Sequence, residues 1–427
     1  MINYMTENVL TGETVIENLG MKAKHAAKVL RKLSANEKDA ALEAMIESLK
    51  NHTGKILEAN SKDIENGKES GLSDALIERL TLNEERLTGM QDGLRQMTEL
   101  TDPTTHNEGQ WVNGQGLKIG KVRVPLGVIG IIYESRPNVT ADASGLCLKA
   151  GNAVILRGGK EAMNSNRAIV EALQEGLSGT AVPKESVQLI TDPSRELAAE
   201  FMQANEYVDC LIPRGGEGLI QTVLKQATVP VIETGTGNCH LYVHESADPE
   251  MAKSLLINSK THRVSVCNAL ETLLIDRSIA DKELPVLGRA LIEAGVEIHG
   301  DEKTCTLIPE AVPATETDYS EEYLGYEIAV KVVDDFQAAI DHIDEYSTGH
   351  SDVIAATDYG TIQNFLNEVD SAAVYVNAST RFTDGEMFGF GGEIGISTQK
   401  LHARGPMGLE ALTSYKYVIE GAGQIRE

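Results

Sequence analysis

An α/β fold built on parallel sheets is what this sequence predicts, and three observations predict it. Short apolar runs such as residues 128–133 and 271–275 lack a regular polar alternation, as strands buried on both faces do. Amphipathic helical stretches separate these runs, as the crossovers of a parallel sheet require. Glycine, cation or amide chemistry collects just after the strand ends, where open α/β sheets bind ligands.

The elements follow in order. The first hundred residues read as helices. Ser34-Ala35-Asn36-Glu37 fits a capping box, and Leu42, Met45, Ile46 and Leu49 then share one helical face. Thr81-Leu82-Asn83-Glu84 offers a second capping box. Residues 102–116 are polar and turn-rich and hold the only tryptophan, Trp111. Residues 118–124 largely alternate apolar with basic or small side chains, a two-sided strand of a hairpin arm. Strands are expected at 128–133, 153–156, 187–190, 208–212 and 229–232, with helices at 165–177, 194–203 and from Gly218. A second α/β stretch follows Glu233, with strands at 271–275, 306–308, 328–333, 353–356 and 373–376 and a helix at 336–343. A last strand is expected at 413–418.

At 427 residues the chain is long enough for two or three domains. It carries 38 basic and 64 acidic residues, a net charge of −26, which argues against nucleic acid or an anionic membrane as main partner. An anionic substrate then needs a local basic pocket. Five cysteines (Cys147, Cys210, Cys239, Cys267 and Cys305) with no CxxC pair imply free thiols, a reducing compartment and no zinc ribbon. Residues 1–20 lack the pattern of a signal peptide, and no run approaches the roughly 18 apolar residues of a membrane span. The expectation is a cytoplasmic protein.

Several strand ends carry chemistry. Glu134-Ser135-Arg136-Pro137-Asn138 offers an amide able to donate to an oxyanion, though Pro-Asn is also a common turn. Arg157-Gly158-Gly159-Lys160 and Pro213-Arg214-Gly215-Gly216 look like anion sites backed by a helix N-terminus. Glu233-Thr234-Gly235-Thr236-Gly237 begins like a dinucleotide fingerprint but has His240 where its third glycine belongs. Cys267, in Ser265-Val266-Cys267-Asn268-Ala269, is a candidate nucleophile, with Lys260, His262 and Arg263 as cations that favour its thiolate. Alone, such a cysteine is more commonly a small packed hydrophobe.

Together, Pro125-Leu126-Gly127-Val128-Ile129-Gly130, Asn138, Lys149-Ala150-Gly151-Asn152-Ala153-Val154, Glu233-Thr234-Gly235 and Cys267 resemble the aldehyde dehydrogenase superfamily. Within it, Val333, Ala339-Ile340, His342-Ile343, Tyr346-Ser347-Thr348-Gly349-His350-Ser351-Asp352 and Ile354 resemble the signature of the γ-glutamyl phosphate reductases. Glu134–Asn138 and residues 395–406 are also similar to that family. The resemblance covers nearly the whole chain.

It implies an aldehyde-dehydrogenase-like fold: a Rossmann-like NADPH-binding domain (1–109 and 127–233), an α/β catalytic domain (234–408) and a small oligomerisation arm (110–126 and 409–427). It implies Cys267 as catalytic thiol, with Asn138 and the Cys267 backbone N–H as oxyanion donors. Glu322 matches the carboxylate on the nicotinamide ribose, and Glu233 the general base of hydrolytic relatives, a role in question when phosphate replaces water. Gly215 belongs to the cofactor site. Lys160, with Arg157 nearby, stands where many relatives have a ribose-binding carboxylate, so NADPH is expected over NADH. Arg136 and Arg404 are favoured for the substrate's anions over Arg263, Arg381 and His402. The implied reaction is reductive dephosphorylation of L-glutamyl 5-phosphate to the semialdehyde through a thioacyl-enzyme, in proline synthesis. A homo-oligomer is expected, as is contact with glutamate 5-kinase, since the substrate is labile. The alternatives are a hydrolytic NAD(P)-dependent aldehyde dehydrogenase and a non-catalytic nucleotide-binding relative.

Overall fold

The structure is a computed structural model that describes residues 14–105 and 107–426. Most of the leader reading at residues 1–20 lies outside them. The chain forms two compact units. The first runs to Glu233 and adds Gly389–Gly395 and the residues from Met407; the second is Thr234–Phe388 with Ile396–Pro406.

The first unit opens with helices Val15–Leu30, Ala35–Asn51, Thr53–Glu69, Asp74–Leu80 and Glu84–Glu99. Ser34 and Glu37 close their reciprocal box at the second of these. Thr81 is no cap. Its hydroxyl donates to the Ile77 carbonyl at the end of the preceding helix, and Asn83 caps the next by accepting from the Arg86 amide. Two strands follow, β1 (Asn107–Val112), hidden in the polar stretch, and β2 (Lys118–Pro125).

Next come β3 (Val128–Tyr133), β4 (Ala153–Arg157), β5 (Val187–Leu189) and β6 (Cys210–Arg214), an all-parallel sheet in the order β5-β4-β3-β6. All six residues of β3 are buried, which explains its unbroken apolar sequence. The expected strand at 229–232 is absent. Pro230 has no N–H to donate, and only Val231 bridges to Leu211.

The second unit's strands are β7 (Cys239–Val243), β8 (Leu270–Asp276), β9 (Glu297–Gly300), β10 (Val312–Pro313), β11 (Glu327–Val333), β12 (Ser351–Ala355) and β13 (Ala373–Val376). They form one parallel sheet in the order β10-β9-β11-β8-β7-β12-β13. β7 and β9 escape the sequence reading. Residues 306–308 are not a strand: Asp301 accepts from the Thr304 amide at 2.8 Å and starts helix Glu302–Leu307 instead. Along β7, Leu241 and Val243 face one apolar core and Tyr242 the other, so the sheet is covered on both sides.

A short antiparallel pair, β14 (Ile396–Ser397) with β15 (Gly405–Pro406), belongs to the second unit. β16 (Thr413–Glu420) pairs antiparallel with β2 along its whole length, giving a three-stranded sheet β1-β2-β16 in the first unit. Its outer face exposes Trp111, Tyr415, Tyr417 and Ile419.

Candidate active site

Helix Pro249–Thr261 starts on Asp248, whose carboxylate accepts from the Met251 amide, and ends short of β8. The intervening turn carries Cys267, half-buried. The turn is pinned from several sides. Asn268 donates to the Thr383 carbonyl at 2.8 Å, and the Thr380 hydroxyl donates to the Asn268 carbonyl at 2.7 Å. Gly237 lies flat on it: a Cβ there would stand 1.5 Å from the Cys267 carbonyl oxygen, so no side chain fits.

His350, at the start of β12, places Nε2 3.2 Å from Cys267 Sγ. Cys239 is the second thiol nearby. It is fully buried, donates to the Cys267 carbonyl, and burial pushes its proton affinity far up. Cys267, partly open, is therefore the accessible sulfur of the two.

The cations expected around Cys267 divide. Lys260 does not serve it: its ammonium meets the Glu271 carboxylate at 2.6 Å, both without exposure. Burial raises the Glu271 carboxyl to about 7 and lowers Lys260. Arg381 sits instead where Arg263 and Cys267 both act on it. Burial first, then Arg263, hold its guanidinium below the usual range. Its Nε approaches His262 Nδ1 at 3.4 Å. Glu322 accepts from the Gly237 amide at 2.7 Å. Arg404 is already engaged, with Nη1 2.8 Å from the Asp370 carboxylate, and Lys400 and Arg404 together pull that carboxyl down to about 2.

In the first unit, Asn138 opens helix Asn138–Lys149 and its amide donates to Asp142 at 3.0 Å. Burial raises the half-exposed Asp142 to about 6, against that hydrogen bond and the field of Arg214. At both glycine-rich turns some helix-opening amides are already taken by the chain's own carboxylates. The Gly216 amide is taken by Glu134 at 2.9 Å. Behind Gly158 and Gly159, Asp63 accepts from the Asn164 and Ser165 amides at the start of helix Met163–Leu177. Two cations remain there. Lys160 is exposed, and Arg157 gives Nη2 to the Pro193 carbonyl while its buried Nε has no partner. Arg136 and Glu233 are half-buried in this unit.

Residues 9–306 and 306–418 match the model of the aldehyde dehydrogenase family. The chain is 58% identical over 96% of its length to γ-glutamyl phosphate reductase of Carboxydothermus hydrogenoformans, covering 99% of that protein. It is 54% identical to that of Listeria monocytogenes over 95% of its length and 98% of the relative's. A crystal structure of γ-glutamyl phosphate reductase from Thermotoga maritima superposes with a TM-score of 0.95 at 48% identity, covering 97% of this chain and all of that one. The chain belongs to the aldehyde dehydrogenase family, in its γ-glutamyl phosphate reductase branch.

That family uses a nicotinamide cofactor. The chain fits one: the orphaned Arg157 Nε and the free ammonium of Lys160 supply donors for a phosphate-bearing nucleotide. Sequence reasoning did not single out His350 beside Cys267. Its neighbours Tyr346–Asp352 stand out in the sequence, but nothing local ties an imidazole to a thiol 83 residues upstream. Arg381, one of the five cations considered for the substrate's anions, is the one whose guanidinium lies in the field of Cys267.

Proposed function

We propose that this chain reduces L-glutamyl 5-phosphate to L-glutamate 5-semialdehyde and phosphate through a thioester on Cys267. The observation that carries the reading is the half-buried Cys267 thiol, fixed by Gly237 and Asn268 and placed in the field of Arg381. Its sulfur attacks the acyl carbon, and the carbon–oxygen bond to phosphate breaks. Phosphate is a good leaving group and needs no acid, so no base or acid is required of Glu233 in this step. Asn138 and the Cys267 amide are the oxyanion donors. When bound, NADPH supplies a hydride to the acyl carbon. The thiohemiacetal then collapses, and the carbon–sulfur bond breaks to release aldehyde.

Arg157 and Lys160 hold the 2′-phosphate end of the cofactor and set the preference for NADPH. Glu322 holds the nicotinamide ribose. Gly215 lacks a side chain because Glu134 occupies that space, 2.5 Å from where its Cβ would stand. For the substrate's anions we place Arg381 and Arg263 first. Arg136 and Arg404 are the second pair, the latter once released from Asp370.

The first unit is the NADPH-binding domain and the second the catalytic one. The β1-β2-β16 sheet, with its exposed aromatics, is the arm that meets a neighbouring subunit. A homo-oligomer working in the cytoplasm follows, receiving its labile substrate by contact with glutamate 5-kinase. Among the described residues no helix is long and apolar enough to cross a membrane. Light scattering that returns a monomer at micromolar protein would remove the arm's role.

The test of the reaction is reduction of NADP⁺ by glutamate 5-semialdehyde with and without phosphate. Phosphate dependence supports the proposal. Reduction without phosphate assigns the chain to the hydrolytic dehydrogenases, with Glu233 as base.

A further inference from the structure

His350 is fully buried, yet it touches the reacting sulfur. The turn that carries it is built for that purpose. Ser347 donates to Asp352 at 2.7 Å and accepts from the Gly349 amide at 3.0 Å, with Gly349 at φ +70°. The Thr348 hydroxyl accepts from the Asn238 amide, and the Gly349 and His350 carbonyls accept from Ala372 and Ala373. These contacts fix the ring from its backbone.

The far side of the ring is not a dead end. Nδ1 lies 2.8 Å from Ser351 Oγ, which lies 2.7 Å from Thr383 Oγ1, which lies 2.8 Å from the Tyr375 hydroxyl. Ser351 and Thr383 are fully buried, whereas Tyr375 is partly exposed. Every member of this chain can both donate and accept a proton. The titratable groups facing the ring are Cys267 from the turn before β8, Cys239 from β7, with Sγ 3.8 Å from Nδ1, and Asp352 from β12.

We propose that His350 is a catalytic residue that works as a neutral relay, taking the Cys267 proton at Nε2 while its Nδ1 proton passes through Ser351 and Thr383 to Tyr375. The S–H bond breaks and Nε2–H forms. Nδ1–H breaks, Ser351 receives that proton and hands its own to Thr383, and Tyr375 releases one to water. No imidazolium forms. The thiolate keeps the negative charge and accepts a hydrogen bond from Nε2–H. Burial holds the ring's proton affinity down to about 4, which disfavours a thiolate–imidazolium pair and leaves this tautomer exchange as the route.

The inference rests on Cys267 as nucleophile, and one experiment separates the two. Alkylation of Cys267 by iodoacetamide, followed by peptide mass spectrometry, is timed from pH 4 to 9 in the full chain. In the native protein the rate should rise with pH and show no plateau below about pH 5. His350→Ala should slow alkylation at pH 7 about tenfold, and His350→Gln should recover part of that, since its amide donates to sulfur but cannot relay a proton. Melting curves establish that each variant folds; if His350→Ala does not, His350→Gln decides alone. A native rate in His350→Gln, or an acid plateau in the native protein, would overturn the relay. Retained turnover in Cys267→Ser would instead overturn the nucleophile on which it rests.

Discussion

The two units handle charge at their strand ends in opposite ways. In the first, helix-opening amides that an anion could claim are already met by the chain's own carboxylates, Asp63 at Asn164 and Ser165 and Glu134 at Gly216. In the second, a thiol and an imidazole meet just before two strands begin, Cys267 Sγ 3.2 Å from His350 Nε2, and the Lys260–Glu271 ion pair is sealed away. A glycine-rich turn opening a helix is thus not by itself an anion site. Its amides have to be free, and only the fold says whether they are.

The sharpest way to break this contrast is Cys267→Ser. Turnover should fall about a thousandfold or more while NADPH binding by fluorescence is unchanged, because the nucleophile and the Arg157–Lys160 pair lie on separate units. Substantial turnover would mean that the second unit's thiol is only packing. Next in size is a pair of arginine variants assayed for KM of the acyl phosphate. Arg381→Ala should raise it about tenfold or more, and Arg404→Ala about threefold or less, since Arg404 is held by Asp370. The reverse order would show that Asp370 yields its arginine to substrate.

Two variants sharpen the first unit's side. Lys160→Glu should shift the kcat/KM ratio of NADPH to NADH by about tenfold toward NADH. An unchanged ratio would take the 2′-phosphate away from Lys160. Asp63→Ala leaves two helix-opening amides without their acceptor and should cost about 1–3 kcal/mol of stability in urea melts, with cofactor preference unaltered. A changed preference would mean that Asp63 shapes the nucleotide site.

The last prediction concerns pH. His350 is held neutral by burial, with its folded value lowered to about 4 from the ordinary 6.5. Between those values the unfolded chain binds a proton that the folded chain refuses. Stability should therefore be full above about pH 6.5 and fall on acidification, by about 1.4 kcal/mol per pH unit from this group. His350→Gln should flatten that part of the curve relative to the native protein. An identical slope in both would show that the ring protonates in place.

Much of this was legible in the sequence, and what was not has a physical pattern. β3, β4 and β8 were readable because strands buried on both faces leave unbroken apolar runs. The Ser34–Glu37 box was readable because its partners are three residues apart. Cys267, Asn138, Arg157 and Lys160 were identifiable as polar or charged groups at the borders of strands and helices. Their use is a separate matter. Residues 229–232 looked like a strand until Pro230 met a ladder, and 306–308 until Asp301 capped a helix.

By itself, then, the sequence determined the class of fold, because periodicity and local spacing are properties of neighbours along the chain, while its motifs carried the resemblance to the family and, through it, the expectation for Cys267. Tertiary structure alone decided which charge meets which. It put Lys260 in Glu271's keeping, set Glu134 on the Gly216 amide and Asp63 on the Asn164 and Ser165 amides, and brought His350 Nε2 to within 3.2 Å of Cys267 Sγ. Those pairings depend on distances across the sheet, set by strand order and register, which one-dimensional patterns do not encode.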